Sequence, residues 1–438
     1  MTAGTDIVTY VVRSYPRLSQ TFVVDEILAL ERLGARVEIF SVTNPREPVI
    51  QAEVRDVRAC VRYLDRVPGG RLPRLHAHLI AALRSPGRYL RALREALAAR
   101  TARLGYHTAS PWSCLDHAVV LATTLRRDDR GAGRPQRHLH AHFAHDPALI
   151  ALLTHHLTGI PFTFTAHARD IVQVPASALA PRIRQADAVV TCCRANVEYL
   201  RSIDGIGRTP IEVVHNGLDL RAFPAIDRRP GLTGGRPMIL SVGRLVEKKG
   251  FDDLIDACAE LARRGRWFRV RIVGDGPLRE QLEAAADRLG ISNLVEFTGA
   301  LPRRQIVESY RRAALFALTP YVTDDGDRDG LPTALVEAMA GCLPVVTTAV
   351  AGIPELVAHR VNGLLAPARS VPEIAGHLDT VLGDAELAHR LGLAARDTVE
   401  HGFDGRASAD RLTELFGIVP APSAMSAGPT PESRCVRI

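Results

Sequence analysis

The feature that most restricts the fold is an alternation of short β-branched runs with helix-length apolar repeats, and the chain carries it twice. In the first half, strands are expected at 7–12, 37–42, 139–143, 161–165, 188–191 and 211–214. A helix is expected at 20–33, where Phe22, Val23, Ile27, Leu28 and Leu30 share one face and Gly34 marks the stop. The second half restarts at 238–242 and continues at 270–273, 294–297, 315–318, 344–347 and 363–365, with helices at 251–263, 277–289, 304–313, 331–340 and 354–358 between them. Strands alternating with helices of this length make parallel sheets covered on both faces. The chain therefore reads as two doubly wound α/β domains facing each other across a cleft, with ligands beyond the carboxyl ends of the strands. The expected division is a first domain at 1–226, a Pro/Gly/Arg linker at 227–237, a second domain at 238–395, a closing helix at 396–418 and a disordered Pro/Ser/Ala-rich tail at 419–438. Residues 61–138 read as Arg-rich amphipathic helices broken by Pro and Gly.

Composition narrows the classes. No apolar run reaches the roughly 18 to 20 residues of a spanning helix. The first residues carry no basic-then-apolar leader, so no signal peptide is expected. Seven scattered cysteines make neither a disulfide framework nor a zinc pattern, which fits a reducing cytoplasm. Of 55 basic residues, only two are lysines, and they are adjacent: Lys248 and Lys249. Where arginine serves as the general cation, a surviving ammonium pair points to a specific use. The net charge of +7 is concentrated in 61–138, which hold 15 Arg against 5 acidic residues. Without interleaved aromatics this stretch does not suit nucleic acid. It reads as acceptor-side surface in peripheral contact with anionic lipid, or simply as general Arg enrichment.

Three segments could carry chemistry. In Gly243-Arg244 and Glu247-Lys248-Lys249-Gly250, a glycine lets the backbone turn closely at a strand end. Arg244 and Lys249 then stand before a helix, a pattern that suits a diphosphate. In Asp329-Gly330-Leu331-Pro332-Thr333, a helix N-terminus can receive a phosphate or sugar oxygen, and Glu337 lies further along an otherwise apolar helix, where a carboxylate needs a partner. His167 follows the strand at 161–165 and faces the presumed cleft. His140 and His142, two apart on a strand with His145 just beyond, could bind a metal as a pair, but no supporting third ligand is evident from spacing, and the acidic turn at Asp325 and Asp327 is ordinary; no metal is expected.

The segments SVGRLVEKKGFDDLIDA, VGDGPLREQLEAAA, VEFTGALPRRQI and DGLPTALVEAMAGCLPVVTTAVAGIPELV together resemble the nucleotide-sugar domain of glycosyltransferase family 4, which has the GT-B fold of two Rossmann-like domains. RSYPRLSQTFVVDEILALERLG and PFTFTAHARDI are similar to its exopolysaccharide branch, typified by colanic-acid and amylovoran transferases. The family's pair of glutamates separated by seven residues is Asp329 and Glu337 here, the first one methylene short. The resemblance implies retaining, metal-independent transfer from a nucleotide-diphosphate sugar, of UDP or GDP type, to a lipid-linked glycan or a small polar acceptor, with no cofactor. It implies that Arg244 and Lys249 stabilise the leaving diphosphate, Asp329 holds sugar hydroxyls, Glu337 holds the ribose and His167 reaches across the cleft. Gly243, Ala300, Leu301, Gly330, Leu331, Pro332 and Thr333 would complete the donor site. A natural-product acceptor is an alternative, as are a sugar-nucleotide epimerase on the same fold and a non-catalytic basic surface binder. A pyridoxal-phosphate phosphorylase would need a Schiff-base lysine deep in the second domain, and both lysines lie in the diphosphate loop.

Overall fold

The computed structural model describes residues 5–47, 49–66, 71–101, 109–129, 135–226 and 235–418. Most of the expected linker and all of the expected tail lie outside these residues. The first sheet contains β1 (Ile7–Ser14), β2 (Arg36–Thr43), β3 (Cys60–Tyr63), β4 (Arg137–His142), β5 (Phe162–Ala166), β6 (Ala188–Thr191) and β7 (Ile211–Val213). Its order is β3-β2-β1-β4-β5-β6-β7, parallel throughout. The second contains β8 (Met238–Val242), β9 (Arg269–Val273), β10 (Val295–Phe297), β11 (Leu315–Leu318), β12 (Val345–Thr348) and β13 (Leu364–Ala366), ordered β10-β9-β8-β11-β12-β13 and again parallel. All five residues of β8 and all four of β11 are buried, as expected of strands with helices on both faces. This is the two-domain, Rossmann-like α/β architecture expected from the sequence. The edge strand β3 was not expected: its four residues alternate between half-buried and buried, and Arg62 within it turns outward to Asp128.

Each sheet reverses its winding direction once, between β1 and β4 in the first domain and between β8 and β11 in the second. At such a point the connections leave in opposite directions and open a crevice beyond the carboxyl ends of the strands. Both crevices contribute to the site described below.

Two features tie the domains together. Helix Arg303–Arg312 begins with a buried guanidinium whose two terminal nitrogens donate to both oxygens of Asp25 at 2.7 and 2.5 Å, with Glu53 at 3.5 Å. The second feature is the end of the chain. The expected closing segment 396–418 is the end of one helix, Ala385–Gly402, followed by another, Gly405–Phe416. Asp404 caps the latter and Gly417 ends it in the left-handed conformation. It returns to the first domain, burying Ala409, Leu412 and Phe416 with Val8, Tyr10 and Ile27. The Phe416 ring stacks on His138 at 5.1 Å.

Candidate active site

The loop after β8 and the loop after β11 meet across the second domain's crevice. Gly250, at φ +68°, is the hinge of that meeting: a Cβ there would fall 1.8 Å from the Thr319 carbonyl oxygen, just beyond β11. Only glycine permits this approach. The turn brings both lysines onto the acidic loop. Lys249 Nζ lies 2.5 Å from Asp329 Oδ2. Lys248 Nζ lies 3.0 Å from Asp327 Oδ1 and 3.4 Å from Asp329 Oδ1, and also donates to the Arg328 carbonyl at 3.2 Å. Burial alone would raise the Asp329 pKa, but Lys249 and then Lys248 outweigh it and hold the carboxyl below its ordinary value. The result is a preformed, ionised cluster of two ammonium groups around one carboxylate, at the crevice where the fold binds ligands. Lys248 is the more deeply buried of the two and holds the acidic loop in place.

The other expected donor residues lie in the connections after β8, β10 and β11. Gly243 follows β8, where a Cβ would stand 3.5 Å from the Lys249 side chain. Arg244 is exposed and makes no ion pair among the described residues. Ala300 is exposed and Leu301 half-buried in the connection after β10. Leu331 is buried, Pro332 is the residue that precedes helix Thr333–Ala340, and Thr333 opens it. Gly330 touches the other domain: a Cβ there would come within 2.6 Å of the His167 carbonyl oxygen. Gly330 and His167, 163 residues apart in the sequence, thus meet at one interdomain contact.

Glu337 is buried, and the Tyr310 hydroxyl donates to its Oε2 at 3.0 Å. Thr333, Val336 and Glu337 line a small interdomain cavity opposite Phe22 and Asp25. Burial raises the Glu337 pKa to about 7, against the lowering influence of Arg303 and the Tyr310 hydrogen bond. In the folded protein this carboxyl stays protonated between 4.5 and 7, where the unfolded chain's is ionised, so folding stability falls as pH rises through that window. A displacement of this size corresponds to about 3 kcal/mol. Glu337→Gln keeps the acceptor for Tyr310 and does not titrate. It is expected to melt well above the wild type at pH 8 and level with it at pH 4.5. Parallel melting curves across that range would show that Glu337 is ionised throughout.

In the first domain, His167 follows β5 and its ring is buried between Phe22 and Phe143, each at 4.7 Å. Burial is the main cause of a pKa near 4, so the ring is neutral at pH 7 and can offer hydrogen bonds but no charge. Its Nε2 meets His142 Nδ1 at 3.2 Å, and His142 Nε2 meets Glu26 Oε1 at 3.0 Å. Tyr10 also donates to Glu26, at 2.5 Å. Burial would raise Glu26, but His142 and Tyr10 help hold it below its ordinary value, so it is a carboxylate that only accepts. His142 therefore donates to Glu26 through Nε2, and its Nδ1 shares a hydrogen bond with His167 Nε2. The Glu26–His142–His167 chain fixes the orientation of the His167 ring. Glu26 stands on helix Thr21–Arg32, 116 residues from His142, and nothing in the sequence links them. Glu26, His140 and His142 present donor atoms within 4.8 Å of one another, so the third group missing from the histidine pattern does exist. Both ring nitrogens of His140 already meet threonines, Thr163 at 2.8 Å and Thr165 at 3.0 Å. The cluster is satisfied by hydrogen bonds within the protein.

Comparison with known proteins follows the same division of the chain. The family described as Glycosyltransferase Family 4 matches residues 134–222, and the family described as Glycosyl transferases group 1 matches residues 223–398. The chain is 36% identical over 215 residues to the "Putative colanic acid biosynthesis glycosyltransferase WcaL" of Escherichia coli, covering 48% of this chain and 52% of that protein. The match thus spans about half the length of that relative. It is 31% identical over 404 residues to the 2-deoxystreptamine glucosyltransferase of Streptomyces kanamyceticus, covering 85% of this chain and 93% of that protein. Among solved structures, Anabaena HepE in complex with UDP-glucose superposes with a TM-score of 0.68 at 17% identity, covering 93% of this chain and 98% of that one, which extends the shared fold to both domains. With matches that run through both domains, the chain belongs to glycosyltransferase family 4, with the GT-B fold.

Proposed function

We propose that this glycosyltransferase moves a hexose from a UDP- or GDP-type sugar nucleotide to a lipid-linked glycan or a small polar acceptor, with retention at the anomeric carbon and without a metal or cofactor. The observation that carries the reading is the cluster of Lys248, Lys249 and Asp329 at the crevice between β8 and β11. As the bond from the anomeric carbon to the diphosphate oxygen breaks, negative charge gathers on the leaving group. Lys249 and Arg244, which makes no ion pair among the described residues, would stabilise that charge, the task a divalent ion performs elsewhere. The acceptor oxygen bonds to the anomeric carbon from the face the diphosphate leaves, and its proton passes to the departing phosphate oxygen. In this reading Asp329 fixes sugar hydroxyls, Glu337 meets the ribose, and His167, neutral and oriented by the hydrogen-bond chain through His142 to Glu26, hydrogen-bonds the transferred sugar.

A natural-product acceptor is a second reading, supported by the alignment with the Streptomyces enzyme over most of both chains. Two measurements test the donor side. Of UDP, GDP, ADP and TDP, one is expected to raise the melting temperature clearly above the others, since a ligand at a hundred times its Kd adds about 2.7 kcal/mol. No shift with any of the four would count against a nucleotide site. Turnover is expected to persist in EDTA, because the cations are part of the chain. Complete loss in chelator, restored by manganese or magnesium, would overturn the metal-independent mechanism.

A further inference from the structure

We propose that helices Arg71–Arg84 and Pro86–Thr101 dock the protein on the surface of an anionic lipid bilayer, with a row of outward leucines entering the interface and arginines meeting the headgroups. Among the described residues, thirteen large hydrophobic side chains are exposed, and seven of them lie between 72 and 112. Scattered exposed apolar residues need no explanation, but a concentration of this kind marks an interaction surface. Leu72, Leu75, Leu79 and Leu83 are 76%, 64%, 56% and 75% exposed, and their spacing of three, four and four puts them on one helical face. The opposite face holds the helix to the domain. Ala77 and Ala81 are buried in the core, His78 meets the Tyr89 hydroxyl at 2.9 Å, and Arg74 pairs with Asp116. The leucine row is therefore the outer side of a well-seated helix.

The neighbouring helix repeats the arrangement. It buries Ala92 and Ala96 and exposes Leu90 and Leu97 together with Arg91 and Arg94. Trp112 is exposed one turn before Asp116, the partner of Arg74 and His78. Between 71 and 101 there are seven arginines and a single acidic residue, Glu95, which faces inward to His156 and Gln185.

Charge decides the occupant. A second copy of this chain would bring two arginine-rich faces together, whereas an anionic bilayer complements the arginines and takes up the leucines. The orientation also suits the fold. Arg74 donates to the carbonyls of Leu64 and Asp65 at 3.0 and 3.2 Å, directly after β3, so the leucine row starts at the strand ends that face the cleft. Docking would set the mouth of the cleft at the bilayer. The inference adds a surface to the transferase reading without depending on it.

The test is vesicle flotation without donor or acceptor, using phosphatidylcholine alone and phosphatidylcholine mixed with phosphatidylglycerol. The wild type is expected to float with the mixed vesicles and to release them at high salt. Leu79→Gln with Leu83→Gln is expected to weaken binding at least about tenfold, because two apolar side chains no longer enter the interface. The melting temperature should not change, since both residues already face solvent. Arg91→Glu with Arg94→Glu is expected to abolish the preference for anionic vesicles. Docking is overturned if the wild type ignores both vesicle types, or if the leucine variant binds as well as the wild type. It is also overturned if ultracentrifugation shows a dimer that the leucine variant dissolves, which would make this face a contact between copies. None of these outcomes touches donor binding, which the nucleotide melting shifts report separately.

Discussion

Lys249→Ala is expected to lower kcat/KM by more than 100-fold, about 3 kcal/mol, with most of the loss in kcat. The ammonium stands where leaving-group charge develops, and removing one such contact from a water-poor site costs about this much. The fold should persist, since Asp329 keeps Lys248 at 3.4 Å as a counter-charge. Lys248→Ala is expected to differ in kind. Its ammonium holds Asp327, Asp329 and the Arg328 carbonyl together in a buried place, so its loss leaves two carboxylates facing each other without it. Breaking a buried ion pair from one side costs about 3–5 kcal/mol of stability. Adjacent substitutions should therefore separate: one an intact protein with little turnover, the other a protein that melts early. A Lys248 variant with wild-type melting and lost turnover, beside an active Lys249 variant, would reverse the assignment.

The contrast between the lysines also shows what a sequence conveys. That two ammonium groups survive in an arginine-rich chain is visible in the letters, and so is their position before a helix. Which one turns inward depends on Gly250 lying against Thr319 and on the acidic loop after β11, almost 80 residues away. The parallel strands were legible because both their faces are buried, leaving largely apolar runs such as 238–242. Strand β3 was not, because an edge strand with one half-buried face carries Arg62 where a central strand would carry a second valine. Helix Gly405–Phe416 was legible as part of a closing helix, but the sequence does not say which domain it covers; that is settled by Phe416 reaching His138 and His140. The least legible parts are the pairs formed across domains or between distant turns. Asp25, Glu26 and Arg303 are unremarkable charged residues on helices, and His142 is one of several histidines on β4, until the fold pairs Asp25 with Arg303 and Glu26 with His142. Similarly, the leucines at 72–83 fit an ordinary buried stripe by spacing alone, and only the packing of Ala77 and Ala81 shows that they are on the outside.

Asp329→Asn should divide sugar from nucleotide. The substitution keeps the size of the side chain and removes its charge, leaving Lys249 without its carboxylate and Lys248 with Asp327 alone. Stability is expected to fall by about 3 kcal/mol, the lower end of the cost of breaking a buried pair. Turnover should fall more than 100-fold, because the charged acceptor for the sugar's hydroxyls is gone. Affinity for the bare nucleoside diphosphate should hold or rise, since a carboxylate no longer competes with phosphate for the two ammonium groups. The added nucleotide should accordingly raise the melting temperature of this variant more than that of the wild type. Glu337→Ala should do the reverse. It removes the proposed ribose contact and leaves the lysine cluster untouched, so binding of the bare nucleotide should weaken about tenfold, the worth of one good hydrogen bond to a buried carboxyl. Calorimetric titration of both variants with the same nucleoside diphosphate separates the two roles. If Asp329→Asn loses the nucleotide while Glu337→Ala keeps it, the donor lies the other way round, with its ribose toward the lysines and its sugar toward Tyr310.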